Sequence, residues 1–231
     1  LLQREARVPQ ETTNSDIEDT PPIQVMVIPV TQFQQNCSLI WDPQSMRGTV
    51  IDPGGDVARI QEAIGKHDVN VENIVLTHGH IDHVGGAADL AAALGVPVEG
   101  PHEADKPLID RVADQAVQFD VSDVKPVTPD RWMVEGDKVE IAGRSFDVLH
   151  CPGHSPGHLV FFDEELRFAI SGDVLFAGSI GRTDLPGGDH DTLIRSIQDK
   201  MLPLGDDVSF IPGHGQASTI GQERETNPFL T

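Results

Sequence analysis

Residues 77–86 read THGHIDHVGG, and this cluster constrains the fold more than any other stretch. His78 and His80 are two apart, so in an extended segment they face the same side. Asp82 and His83 are adjacent, so they diverge and can serve a second centre. Three later segments add one polar group each: His154 in CPGHSPGH, Asp173 in SGDVLF and His214 in IPGHG. His78, His154, Asp173 and His214 each follow a run that reads as a strand: NIVLT, SFDVLH, RFAIS and DVSFI respectively. In α/β sheets the working edge lies where strands feed into loops. The chain must therefore bring four strand ends together.

Taken singly, a His or Asp in a loop is a surface or hydrogen-bonding residue, and that reading is kept for His67, His102 and His190. Three histidines within one six-residue stretch fit it poorly. Glycine and proline around His154, Asp173 and His214 form tight turns that present a side chain. His150 and His158 flank the cluster and are expected to support it. Cys151, three residues before His154, is expected to be a small core residue.

The cluster supplies enough imidazole and carboxylate for two divalent transition-metal ions. One division gives His78, His80 and His154 to the first ion and Asp82, His83 and His214 to the second, with Asp173 bridging. Such donors suit zinc, iron or manganese, and zinc is the expected metal.

Around these motifs the chain reads as strands interleaved with helices, hence a layered α/β fold. Strands are expected at IQVMVIPV, CSLIWD, TVIDPGG, VPVEG, KVEIAG, SFDVLH and LVFFD. VARIQEAIGKH, GGAADLAAALG and DTLIRSIQDKMLPL read as helices. Residues 102–131 carry scattered helical signals and prolines. Residues 1–22 are polar and acidic, without an apolar period, and read as a flexible tail or as sequence added in cloning. Residues 23–231 are expected to form a single catalytic domain.

Charge excludes some partners. The formal net charge is −21, from 16 basic and 37 acidic residues, whereas nucleic acid and anionic membranes need a positive footprint. No apolar run approaches the ~20 residues that span a bilayer. No signal peptide is visible. Two cysteines are too few for a disulfide framework and suit a reducing cytoplasm.

THGHIDHVGG, PGHSPGH, SGD and PGHG together resemble the metal motifs of the metallo-β-lactamase superfamily, over nearly everything from residue 25 to 231. VTQFQQNCSLIWD, VIDPGGD, FAGSIGRTDLPGGDH, LPLGDDVSFIPGHG and TIGQERETNPFL narrow the resemblance to the short bacterial glyoxalase II-like hydrolases (hydroxyacylglutathione hydrolases). The resemblance implies a four-layered αβ/βα sandwich and the ligand set above, with Asp52 behind the ligands as a supporting residue. It also implies hydrolysis of a glutathione thioester, with S-lactoylglutathione as the expected substrate, by metal-activated water. Asp82 and Asp173 are the carboxylates expected to take part in the chemistry. Arg182, in GSIGRTD, is the candidate for a substrate carboxylate, against a plain ion pair with Asp184 or Asp189. Arg224 is expected to be structural.

Two features depart from the longer glyoxalase II enzymes. The chain ends at NPFLT, without their C-terminal helical domain, and it contains no tyrosine. The substrate is therefore less constrained than the metals. An iron-dependent persulfide dioxygenase is the main alternative. Another ester, thioester or lactone hydrolase of the superfamily and a non-catalytic metal-binding protein follow. A monomer or small homo-oligomer is expected.

Overall fold

The computed structural model describes residues 22–121 and 124–231. The expected tail at residues 1–22 lies outside the described residues except for Pro22. The first sheet has five strands in sequence order: β1 (Gln24–Val30), β2 (Gln35–Trp41), β3 (Arg47–Ile51), β4 (Asn70–Val75) and β5 (Val98–Glu99). β1, β2 and β3 pair antiparallel, while β4 and β5 join parallel. The crossover from β3 to β4 is helix α1 (Val57–His67), which buries Ile60, Ala63 and Ile64 at helical spacing. Helices α2 (Ile81–Val84) and α3 (Ala87–Leu94) lead from β4 to β5.

Helices α4 (Lys106–Asp110) and α5 (Val112–Gln118) occupy the stretch whose sequence signals are scattered. The second sheet contains β6 (Lys138–Ile141), β7 (Arg144–His150), β8 (Leu159–Asp163), β9 (Phe168–Gly172), β12 (Ser209–Pro212) and β13 (Ser218–Thr219). Its order is β13-β12-β9-β8-β7-β6. A small hairpin, β10 (Leu175–Phe176) and β11 (Ser179–Ile180), follows β9. Helices α6 (His190–Ser196) and α7 (Ile220–Thr226) complete the chain.

Three separate cores show how these elements stack. Strand side chains alternate between faces, and the alternation sorts them. Leu39, Val50 and Ile74 join α1, α3 and α5 residues in one core, while their neighbours Ile40, Ile51 and Val75 join Phe146, Leu159 and Phe161 in another. On the second sheet Val160, Ala169 and Phe210 face a third core with Leu193 and Ile197. The layers therefore run helix, sheet, sheet, helix, which is the expected four-layered αβ/βα sandwich. Fully burying one of these large apolar side chains is worth about 1.5–3 kcal/mol.

Two expected helices differ in detail. The one at residues 85–95 begins only at Ala87, because the chain turns at Gly85 and Gly86 to dock on the loop after β3. A Cβ at Gly85 would lie 2.7 Å from the Gly54 carbonyl oxygen, so only glycine allows this approach. The helix expected at residues 191–204 is α-helical only to Ser196. Ile197–Met201 winds wider and Leu202–Leu204 tighter, and Pro203 lacks the N–H that would continue a regular ladder.

This topology gathers the site. β7 is antiparallel to β8, β8 is antiparallel to β9, and β12 is parallel to β9. Consequently β7, β9 and β12 all end at the same edge, just before His154, Asp173 and His214. The two sheets meet there: the backbone N–H of Asn36 donates to Gly213 over 2.7 Å, and Gln35 bridges His214. Among the described residues no helix is long and apolar enough to cross a membrane.

Candidate metal centre

All seven expected ligands converge at this edge. His78 and His80 leave β4 in an extended segment, and His80 begins α2 at φ −75° and ψ 148°. Asp82 and His83 then lie on α2 itself. Nδ1 of His80 and Nε2 of His154 stand 2.9 Å apart, and the rings of His78 and His154 are 4.9 Å apart. Nε2 of His214 lies 3.1 Å from Oδ2 of Asp82. Asp173 stands between the groups, with Oδ1 3.4 Å from Nε2 of His83 and Oδ2 3.5 Å from Nε2 of His154.

Donor atoms within 4.8 Å of one another define three candidate triples: His78, His80 and His154; Asp82, His83 and His214; and Asp52, His78 and His83. The first two match the division drawn from spacing. The third includes Asp52, but its oxygens already accept from the Thr77 N–H at 2.7 Å, the Thr77 hydroxyl at 2.6 Å and His83 Nδ1 at 2.8 Å.

Those bonds also set the tautomers. The Thr77 hydroxyl spends its one proton on Asp52, so at 3.0 Å it can only accept from Nδ1 of His78. Nδ1 of His83 donates to Asp52, and Nδ1 of His154 donates to the Arg182 carbonyl over 2.7 Å. In each ring Nε2 is left with a lone pair. The backbone N–H of Asp173 donates to Nε2 of His158 over 2.9 Å, and His158 stacks on His78. His158 therefore supports the cluster. His150 does not: it stacks on His102 and lies against the Pro156 carbonyl, so the expectation of a supporting role is corrected. Cys151 is buried in the core.

Among the seven expected ligands, four buried atoms have no hydrogen-bond partner: Nε2 of His78, His80 and His83, and Oδ1 of Asp173. Leaving a buried polar group unpaired costs about 1–3 kcal/mol. Their convergence fits a site built for cations. Burial, followed by neighbouring imidazoles, holds His78 and His158 well below the usual histidine range and His80 down to about 3. These rings are neutral, the form that binds metal. Burial opposes charge on Asp82 and Asp173 most strongly, yet His83 together with His214, and for Asp173 also His154, keeps both carboxylates low. His83 is likewise opposed by burial, but Asp173, Asp82 and Asp52 hold it well above the usual range. The three carboxylates thus call for positive charge beside Nε2 of His83, which a cation held there would supply.

A cavity of about 640 Å³ opens onto His80, Asp82, His154, Asp173 and His214. Its walls are largely apolar, with Phe33, Leu108, Phe119, Phe176, Ile180 and Leu185 among them. Arg182 lies on the wall, but its guanidinium forks onto Asp184 with both contacts at 2.7 Å. A second wall arginine, Arg111, pairs with Asp114 at 3.0 Å. Arg224 pairs with Asp206 and caps Leu202, away from the cavity. The sequence reading missed Asp105, a fully buried carboxylate beside the cluster. It lies where periodicity is weak, and only its non-local contacts identify it.

A profile of the metallo-β-lactamase superfamily matches residues 30–214. A hydroxyacylglutathione hydrolase of Haemophilus influenzae, GloC, is 49% identical over 207 residues, covering 89% of this chain and 97% of that one. A structure of TTHA1623 in a di-iron-bound form is 38% identical, with a TM-score of 0.81, covering 89% of this chain and all (100%) of that one. The BLEG-1 B3 metallo-β-lactamase is 33% identical, with a TM-score of 0.83, covering 90% and 100%.

Proposed function

The chain belongs to the metallo-β-lactamase superfamily as one of its metallo-hydrolases, and on that premise we propose that it is a dinuclear thioester hydrolase whose substrate is S-lactoylglutathione. Residues 23–231 are its catalytic unit. The observation that carries this reading is the convergence of four unpartnered buried donor atoms in one cluster, of which His80 and Asp173 reach the cavity. Its similarity to GloC, a hydroxyacylglutathione hydrolase, supports the substrate class. A cavity of about 640 Å³ suits a tripeptide thioester.

His78, His80 and His154 would hold one ion, Asp82, His83 and His214 the other, and Asp173 would serve both. Zinc suits these donors, and iron or manganese does too. Bound ions supply Lewis acidity toward a carbonyl oxygen and make water nucleophilic near neutral pH. The protein's own residues prepare the rest. Asp52, Thr77 and the Arg182 carbonyl fix the tautomers of His83, His78 and His154, so that Nε2 of each faces the centre. Asp82 borders the cavity, and in this reading it would accept a proton from water. Among the described residues no lysine or cysteine lines the cavity, which suits a thiolate leaving group that needs no strong acid. Arg182 faces a substrate carboxylate by exchanging it for Asp184.

The test is a thioester panel on zinc-, iron- and manganese-loaded protein, read by thiol release. S-lactoylglutathione should be cleaved in preference to simple oxygen esters. Failure on every thioester, with oxygen uptake on glutathione persulfide, would overturn the proposal in favour of a dioxygenase.

A further inference from the structure

We propose that Asp105 is a positioning residue of this centre: its buried carboxylate ties the loop of His80 to the loop of His154 and sets the separation of the two imidazoles. Asp105 is 0% exposed. Its Oδ2 accepts from the Gly79 N–H at 2.8 Å and the Ser155 hydroxyl at 2.7 Å, and its Oδ1 accepts from the Gly157 N–H at 2.5 Å. Gly79 immediately precedes His80, and Ser155 immediately follows His154. One carboxylate thus satisfies three donors from two loops, which also meet where the Leu159 N–H donates to the Thr77 carbonyl over 2.8 Å. All three contacts need acceptors, which a carboxylate alone provides in full.

The backbone is shaped around this contact. A Cβ at Gly157 would lie 2.6 Å from the Asp105 backbone nitrogen and from the His102 carbonyl oxygen. The loop after His154 must therefore be bare of side chain where it meets Asp105. A second contact reinforces the first. The Ile81 N–H donates to Oε1 of Gln115 over 3.0 Å. The amides on both sides of His80 are thus held by side chains from the helical stretch 105–118, in which Asp105 is the N-cap residue of α4. That segment also contributes Leu108, Arg111 and Gln115 to the cavity wall. The wall that meets a substrate and the loop that carries His80 are one mechanical unit.

The inference rests on the reading that His80 and His154 hold an ion, and the experiment separates the two. Metal-free wild type and Asp105→Asn would be titrated with zinc against a chromophoric chelator, then loaded with cobalt(II) for its visible spectrum. Unfolding of both metal-free proteins would be followed in parallel. The amide replaces one acceptor by a donor facing a donor. One zinc site should weaken 10–100-fold, the scale seen when a residue that orients a ligand is removed. The cobalt spectrum should change, and kcat should fall while KM stays within about twofold. Wild-type zinc affinities and an unchanged cobalt spectrum, even with lowered stability, would overturn the proposal by making Asp105 merely structural. If Asp105→Asn does not fold, Ser155→Ala removes a single donor and is read the same way. A several-fold weaker zinc site supports the clamp, and unchanged affinity overturns it. His80→Ala tests the ligand reading on its own. If it retains both zinc ions at wild-type affinity, that reading fails; if it loses one while Asp105→Asn binds both at wild-type affinity, only the clamp fails.

Discussion

Nδ1 of His83 donates to Oδ2 of Asp52 across 2.8 Å, and this bond leaves Nε2 as the only free nitrogen of that ring. Asp52 sits at φ 48°, a left-handed conformation that turns the chain sharply after β3 and puts the carboxylate beneath α2. The same carboxylate holds Thr77, which orients His78. One residue from the first sheet therefore aims two rings that belong to different candidate ions. Asp52→Ala is expected to weaken metal binding or turnover 10–100-fold. It should also cost about 1–3 kcal/mol of stability, because buried donors lose their acceptor. Metal titration and denaturant unfolding check the two effects.

Chelation should abolish hydrolysis and lower the melting temperature, and zinc should restore both. An ion that binds only the folded state stabilises it by about 2.7 kcal/mol at a hundred times its Kd. Calorimetry with and without excess zinc measures this. An identical melting temperature in both would argue against a metal centre.

The two wall arginines should separate binding from stability. Arg182 and Arg111 are exposed ion-pair partners of Asp184 and Asp114, and such pairs contribute about 0–1 kcal/mol. Arg182→Ala should therefore melt close to wild type. Its KM for S-lactoylglutathione should rise several-fold, while a truncated, uncharged thioester should show no change. An unchanged KM for the glutathione thioester would remove Arg182 from substrate binding.

Acid should loosen the second sheet through Asp163. Its side chain is buried and accepts from Nε of Arg144 at 2.7 Å. Burial opposes its charge, but Arg144 and the Leu166 N–H hold the carboxyl below its ordinary value. A depressed carboxyl stabilises the fold fully above the unfolded value, about 3.9, and loses that contribution as pH falls through the folded value. Stability should thus drop more steeply between pH 4 and lower values in wild type than in Arg144→Gln, by denaturant unfolding at each pH.

The core between the sheets should be the least tolerant region. Phe161 is 0% exposed there, beside Phe146 and Ile170. Phe161→Ala should cost about 3–5 kcal/mol. Val117→Ala, 86% exposed on α5, should change stability by less than about 0.5 kcal/mol. Urea midpoints of the two variants test the contrast.

The ligand-bearing segments were readable because each opens at a local boundary, a strand end leading into Gly or Pro, and boundaries are written in neighbouring residues. Strand runs such as LVFFD were readable from their continuous apolar character. The hairpin β10–β11 was not, since two-residue strands carry no period. Nor was the break between α2 and α3, which exists because Gly85 docks on a loop thirty residues earlier in the chain. His150 and His158 look alike in sequence, yet only His158 packs against His78.

The chain by itself determined which donor atoms are available and that strand ends present them, because those properties follow from residue type and local pattern. It also carried the family's motifs. Tertiary structure alone decided which nitrogen of each ring is free, which carboxylate orients which imidazole, and that Asp105 and Gln115 hold the loop of His80. Those outcomes depend on hydrogen bonds between segments far apart in sequence, whose partners are set only when the two sheets pack together.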